Sequence, residues 1–107
     1  MIIALDFDQT VTEDKQLWKM FVMSARKRNH KIYIVTYRTD NGNNDDIDIF
    51  ANESGCNGII YTNGKQKSHC FKADIWIDDQ PITIPSYIEL TEMANGCEVN
   101  NDTVEIL

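Results

Sequence analysis

The sequence predicts an α/β fold, a three-layer, Rossmann-like parallel sheet with helices on both faces. Four short apolar runs, each followed by polar residues, have the length and composition of buried parallel strands; they are residues 2–7, 32–36, 58–62 and 74–77. Segments with helical spacing alternate with these runs, as in parallel sheets that are covered by helices. The 107 residues have room for one domain, which we assign to residues 1–107.

The first strand ends in acidic residues, and an amphipathic helix is expected after it. Leu17, Phe21 and Ala25 recur at helical spacing over residues 16–28, with Trp18 beside them. The basic residues at the end of this segment suit the negative end of the helix dipole. This helix would connect the first two strands and pack against the sheet.

After the second strand, residues 40–48 are expected to begin as a solvated acidic loop and to lead into a second helix that ends near Gly55. Asn63 and Gly64 are typical of a turn and follow the third strand. The segment 68–73 then has room for little more than a turn and a half of helix. A short third helix is therefore expected before the fourth strand.

Beyond Pro81 the pattern weakens. Residues 82–85 are compatible with a short fifth strand, and residues 86–94 with one or two helical turns. The last segment, residues 98–107, ends in TVEIL, which has the composition of a short strand. The structure and role of residues 82–107 stay open at this point.

Composition and charge argue against several classes of function. Seventeen acidic and ten basic residues give a net charge of −7, which disfavours a basic nucleic-acid footprint and binding to an anionic membrane. No apolar run is long enough for a transmembrane helix, and the first residues lack the features of a signal peptide. The three cysteines form no CxxC pair, as is typical of free thiols in a reducing compartment. We therefore expect a cytoplasmic protein.

Chemically useful residues follow directly after three of the four predicted strands. Asp6 and Asp8 follow the first, Thr36 ends the second, and Asp78 and Asp79 follow the fourth. Because ligands bind beyond the carboxyl ends of parallel strands, these side chains are expected at one edge of the sheet. Several carboxylates there would repel one another unless a cation lies among them, and oxygen ligands of this kind suit Mg²⁺.

A lysine between the third and fourth strands completes this set, and there are three candidates. Lys65 directly follows the Asn63-Gly64 turn and is expected to lie in the loop. Lys67 opens the short helical segment near the carboxyl edge of the sheet, whereas Lys72 lies just before the fourth strand, at the opposite end. We therefore choose Lys67, with Lys65 as the alternative and Lys72 as the third choice.

About the first 82 residues resemble the haloacid dehalogenase-like (HAD) phosphatase superfamily. DFDQT at 6–10 is similar to the first motif of that family, DxDx[TV], and Thr36 at the end of IYIVT is similar to the second. A lysine at 65–67 and the pair at 78–79 are similar to the third and fourth, in the right order. The intervals between the motifs are too short for the cap domain of many relatives. The resemblance therefore implies a small, capless core.

The resemblance implies a Mg²⁺-dependent hydrolase that forms an aspartyl-phosphate. Asp6 would be the nucleophile, and Asp8 would act as general acid and then as general base. Thr36 and Lys67 would act on the phosphoryl group, and Arg38 stands two residues after that threonine. The candidate site residues are Asp6, Asp8, Thr36 and Lys67 for catalysis, Thr10 and Arg38 for substrate binding, and Asp6, Asp8 (through its backbone carbonyl), Asp78 and Asp79 for the metal.

The physiological substrate stays open. A phosphorylated substrate of unknown class is expected, and an open site suits a macromolecular or bulky one, including a nucleotide or polynucleotide end. A small substrate would need a second copy of the chain to supply the missing cap. Two alternatives to a phosphatase are a non-catalytic Mg²⁺-binding interaction domain of the same fold and a phosphoacceptor receiver. Receivers carry their nucleophile after the third strand, which here ends in Tyr61 and Thr62 without an aspartate.

Overall fold

The fold, obtained as a computed structural model, is described for residues 1–85. Its strands are β1 (Ile2–Leu5), β2 (Lys31–Thr36), β3 (Gly58–Tyr61) and β4 (Ile75–Ile77), and its helices are α1 (Lys15–Lys27), α2 (Asp45–Ser54) and α3 (Lys67–Cys70). Two 3₁₀ turns, Val11–Glu13 and Pro81–Thr83, complete the order. The expected helical turns at 86–94 and the expected strand at 98–107 lie outside the described residues.

The four strands form one parallel sheet in the order β3-β2-β1-β4. This confirms an α/β fold with a parallel sheet. Because all four strands run the same way, their carboxyl ends lie along one edge. Backbone hydrogen bonds continue past the strand ends: the amide of Asp6 donates to the carbonyl of Ile77 at 2.9 Å, and that of Thr62 to Thr36 at 2.9 Å.

Helix α1 begins where Asp14 caps it, since the Asp14 carboxylate accepts a hydrogen bond from the amide of Leu17 at 3.0 Å. Its buried positions are Val22 and Ala25, with Trp18 partly buried in line with them. Phe21 also packs against the core, so Trp18, Phe21 and Ala25 are confirmed, whereas Leu17 is 54% exposed and Val22 joins the apolar stripe.

Helix α2 begins at Asp45, slightly before the expected start, and packs against α1. It ends at Gly55, whose φ of 85° lies in the left-handed region that glycine adopts without strain. Ile47 and Phe50 point into the core.

Alternation along the strands separates two faces of the sheet. Ile3, Leu5, Ile32 and Ile34 belong to the core cluster that also contains the buried residues of α1 and α2. On the other face, Ala4 is in register with Tyr33 and Trp76, and both aromatic rings contact Phe71. Gly58 lies beside the Tyr33 ring, where an added Cβ would come within 3.1 Å of two ring carbons.

The short fifth strand expected at 82–85 is absent from the described residues. Pro81 instead opens the 3₁₀ turn Pro81–Thr83, and the hydroxyl of Thr83 donates to the carbonyl of Gln80 at 2.7 Å. Directly after this turn, the carbonyl of Ile84 accepts a hydrogen bond from the amide of Ser68 at 2.8 Å. The segment is therefore bound to α3 instead of to the sheet. No helix within residues 1–85 is long and apolar enough to cross a membrane.

Candidate active site

Three carboxylates from two strand ends converge at the carboxyl edge of the sheet. Asp6 follows β1, and Asp78 and Asp79 follow β4, its neighbour in the sheet. One oxygen from each of the three lies within 4.8 Å of the others. Asp6 is buried, whereas Asp79 is exposed, so the cluster extends from the core to the surface.

Lys67 lies between two of these carboxylates. Its Nζ donates to Oδ1 of Asp6 at 2.9 Å and forms a second ion pair with Asp78. The Lys67 side chain is only 3% exposed. Lys65 and Lys72, the other two candidates, are both exposed, so the buried ammonium at this cluster belongs to Lys67.

The local sequence explains why Lys67 reaches the site. Asn63 and Gly64 have φ values of 56° and 78°, so the chain reverses directly after β3. Helix α3 then begins at Lys67 itself, still at the carboxyl edge, where the amide of Ser68 donates to the carbonyl of Ile84. The ammonium also lies 5.5 Å from the centre of the Tyr37 ring, which favours a cation at that point.

Thr10 connects the two ends of the acidic cluster. Its buried hydroxyl lies 3.4 Å from Oδ2 of Asp6 and 3.2 Å from Oδ1 of Asp79. One hydroxyl proton serves one of these acceptors at a time. The preceding residue, Gln9, has a φ of 63°, in the left-handed region that favours glycine. A glycine would adopt this conformation without strain.

The carboxylates open into a small cleft with a volume of about 110 Å³. The cleft is lined by the three carboxylate residues, by Lys67 and by Thr36. Thr36 is buried. Four further lining residues were not chosen from the sequence, namely Gln9, Tyr37, Gln80 and Thr83. Tyr37 donates through its hydroxyl to the carbonyl of Thr83 at 3.1 Å, which holds the 3₁₀ turn at one wall of the cleft.

Asp8 also lines the cleft, but its carboxylate is directed away from the three-carboxylate cluster, towards Arg38. Arg38 holds both oxygens of Asp8, at 2.6 and 3.0 Å, and both oxygens of Asp46, at 2.8 and 2.9 Å. Between Asp6 and Asp8, Phe7 points into the core and is completely buried. The chain leaves β1 at Leu5 and turns over residues 7–10, so that Asp6 and Asp8 line the cleft while Phe7 packs into the core.

Burial has a large effect on the buried carboxylate. The pKa of Asp6 is raised from 3.8 to about 7, first by burial and then by the neighbouring Asp79, while Lys67 acts in the opposite direction. For Arg38 and Asp46, which it binds, ion pairing causes the pKa shifts. Asp8 and Asp46 raise the pKa of Arg38, and Arg38 lowers that of Asp46.

The residues present fit a magnesium ion. Asp6, Asp78 and Asp79 offer only oxygen ligands, which Mg²⁺ prefers, and their spacing lets one cation contact all three. Three carboxylates face the single ammonium of Lys67, so an added cation would offset negative charge that the protein leaves uncompensated there. The Asp8 carboxylate is not part of this group, because it is bound by Arg38. The atom of Asp8 that is predicted to bind the metal is its backbone carbonyl oxygen.

Most of the residues chosen from the sequence therefore meet at one edge. Asp6, Thr36, Lys67, Asp78 and Asp79 surround the cleft, and Thr10 lies behind them. Arg38 lies beside the cleft in a separate ion-pair cluster. Its partner Asp46 was not singled out, because the sequence predicts a solvated acidic loop there. This polar segment has no apolar periodicity, so the sequence contains no signal for the contact between Arg38 and Asp46.

A comparison of the chain with protein-family models, curated proteins and solved structures gives no match in any of the three. The chemistry of the site therefore has to be argued from its own residues.

Proposed function

We propose that the chain is a Mg²⁺-dependent phosphohydrolase of the HAD type, which cleaves phosphate monoesters through an aspartyl-phosphate on Asp6. The observation that carries this proposal is the buried Lys67 between Asp6 and Asp78, with Asp79 within reach of the same point. The proposal includes a three-layer Rossmann-like arrangement and a single domain, residues 1–107, without a cap.

The first step is attack by a carboxylate oxygen of Asp6 on phosphorus. The bond from phosphorus to the ester oxygen breaks, and the leaving oxygen takes a proton from Asp8. In the second step water attacks phosphorus, Asp8 takes a proton from that water, and phosphate leaves. Asp6 is then regenerated, and Asp8 is ready to act as an acid again.

Lys67 and Thr36 act on the charge of the phosphoryl group. The ammonium of Lys67 is fixed against Asp6, so it offsets negative charge on both the nucleophile and the transferred group. The Thr36 hydroxyl can donate to a phosphoryl oxygen from the wall of the cleft. A bound Mg²⁺, held by Asp6, Asp78, Asp79 and the Asp8 carbonyl, would supply further neutralisation of the phosphoryl oxygens.

The small cleft suits a phosphoryl group, and among the described lining residues Tyr37 alone is large and aromatic, with its hydroxyl bound to Thr83. Selection would then depend on the surface around the cleft. Bulky or macromolecular substrates, or a second copy of the chain as a cap, fit such an open site.

A phosphatase screen tests the proposal. The full chain is incubated with p-nitrophenyl phosphate, nucleotides, sugar phosphates and phosphorylated oligonucleotide ends, in Mg²⁺ or in chelator. We expect turnover with Mg²⁺ only, and none from the Asp6→Asn variant. Binding of Mg²⁺ without turnover of any phosphate would instead identify a non-catalytic Mg²⁺-binding domain, and turnover in excess chelator would contradict the metal dependence.

A further inference from the structure

All the N–H groups of the Arg38 guanidinium are directed at acceptors within the chain. Its Nε and Nη2 donate to the two oxygens of Asp8, and its Nη1 and Nη2 donate to the two oxygens of Asp46. The remaining N–H on Nη1 faces Oδ1 of Asn44 at 3.5 Å. A guanidinium carries five N–H groups in a rigid plane. Each of the five is therefore directed at an acceptor within the chain.

The guanidinium is also fixed from behind and from the side. Its central carbon lies 5.4 Å from the ring centre of Phe7, which stands between Asp6 and Asp8 after the end of β1 and is completely buried. Asp46 belongs to the first turn of α2, and its Oδ1 accepts from the amide of Ile47 at 2.9 Å. Helix α2 thus anchors Asp46, and Asp46 anchors Arg38.

We propose that Arg38 is a positioning residue for Asp8, and that Asp46 holds Arg38 in place. This inference rests on the proposed function, because it gives the proposed acid and base a fixed orientation at the cleft. It differs from the expectation that Arg38 binds the substrate phosphate. To bind phosphate in a bidentate way, Arg38 would have to release one of the two carboxylates that it now holds.

The chemical consequence concerns the proton. A carboxyl group held through both oxygens does not rotate freely, so Asp8 keeps one orientation at the cleft. For the first step Asp8 takes a proton from solvent, to which its side chain is 51% exposed, and gives it to the leaving oxygen; in the second step it recovers a proton from the attacking water. A poor leaving group such as an alkoxide needs that proton, whereas a nitrophenolate leaves without it. Loss of the positioning residues should therefore slow alkyl phosphates more than aryl phosphates and should leave substrate binding nearly unchanged.

The test uses Arg38→Lys, Asp46→Asn and a matched control, Asp45→Asn. Asp45 lies in the same first turn of α2 and carries the same charge, but its side chain makes no hydrogen bond or ion pair within residues 1–85. Steady-state kcat and KM are measured with glycerol phosphate and with p-nitrophenyl phosphate in Mg²⁺. Circular dichroism confirms that each variant is folded.

We expect kcat for glycerol phosphate to fall about tenfold or more in Arg38→Lys and severalfold in Asp46→Asn, within the range of general acid–base effects. KM and the rate on p-nitrophenyl phosphate should change by about twofold or less, and Asp45→Asn should behave as the unaltered protein. A raised KM at unchanged kcat in Arg38→Lys would make it a phosphate ligand and overturn the inference.

Equal behaviour of Asp46→Asn and Asp45→Asn would remove Asp46 from the assignment. An active unaltered protein with unaffected variants overturns this inference alone. An unaltered protein that turns over neither substrate overturns the proposed function, and this inference with it.

Discussion

Two charged clusters lie side by side at the carboxyl edge of the sheet, and each places one cation between two carboxylates. In the first, which we call the buried cluster, Lys67 lies between Asp6 and Asp78, with side chains 3%, 9% and 3% exposed. In the second, the exposed cluster, Arg38 lies between Asp8 and Asp46, with side chains 26%, 51% and 42% exposed.

The same count of charges has opposite consequences in the two places. In the buried cluster, desolvation outweighs ion pairing, so the pKa of Asp6 rises to about 7. In the exposed cluster, ion pairing outweighs desolvation, and Arg38 lowers the pKa of Asp46. Both clusters carry one negative charge in excess. In the exposed cluster solvent screens that charge, whereas in the buried cluster Asp79 lies within reach of the same point, which fits the proposed further cation.

The largest difference between the clusters is expected in turnover. Asp6→Asn removes the nucleophile, so the rate on p-nitrophenyl phosphate in Mg²⁺ should fall by on the order of 10³-fold or more. Asp46→Asn, the same change in the exposed cluster, should leave that rate within about twofold. Rates are measured on folded protein of matched concentration. Retention of more than a few per cent of the activity by Asp6→Asn would show that the nucleophile lies elsewhere.

Asp8 belongs to the exposed cluster and also lines the cleft, so its loss should depend on the substrate. Asp8→Ala should slow an alkyl phosphate by roughly 10²–10⁴-fold, the range of general acid catalysis, and an aryl phosphate much less. The ratio of the two kcat/KM values is the measurement. Equal losses on the two substrates would speak against proton transfer by Asp8.

The cations should differ in their contribution to stability. Lys67→Met keeps the apolar stem but leaves buried carboxylates uncompensated, which costs about 3–5 kcal/mol in comparable buried pairs. Arg38→Met opens an exposed cluster, where the cost is about 0–1 kcal/mol. Urea unfolding in chelator at pH 8 measures both. A cost for Arg38→Met that matches or exceeds that of Lys67→Met would reverse the roles we assign to the two clusters.

The last expected difference is a pH dependence of the metal-free protein, which only the buried cluster should show. The folded chain binds a proton at Asp6 up to about pH 7, whereas the unfolded chain releases it near 3.8, so stability falls as pH rises between these values. Mg²⁺ requires the ionised carboxylate and should therefore raise the melting temperature more at pH 8 than at pH 5. In Asp6→Asn the difference between the two pH values should shrink. A larger Mg²⁺ effect at pH 5 than at pH 8 would contradict the raised pKa.

The two clusters also differ in how well the sequence predicts them. The buried cluster was within reach, because apolar strands that end in Asp6 and Asp78 must bring these residues to one edge of a parallel sheet. The turn at Asn63 and Gly64 was enough to prefer Lys67 over Lys65 as the lysine near that edge. These expectations depend on strand direction and local turns, which the residue pattern determines.

The contacts of the exposed cluster could not be predicted from the sequence, for a physical reason. Arg38 meets Asp8 across 30 positions and Asp46 across 8, and both contacts depend on how a polar loop and the start of α2 fold over the strand ends. A polar segment has no apolar periodicity to indicate its path. The 3₁₀ turn of residues 81–83 was hidden in the same way, since apolar Ile82 resembles a strand residue but is 66% exposed.

The central claim is that Asp6 carries the phosphoryl group, and trapping that bond tests it most directly. The full chain is mixed with p-nitrophenyl phosphate and Mg²⁺, quenched, reduced with borohydride and digested for mass spectrometry. Borohydride converts an acyl phosphate into a primary alcohol and leaves a free carboxylate unchanged. We predict reduction at Asp6, dependent on Mg²⁺ and absent when substrate is omitted. Turnover with reduction at Asp8, or at neither residue, would contradict the account.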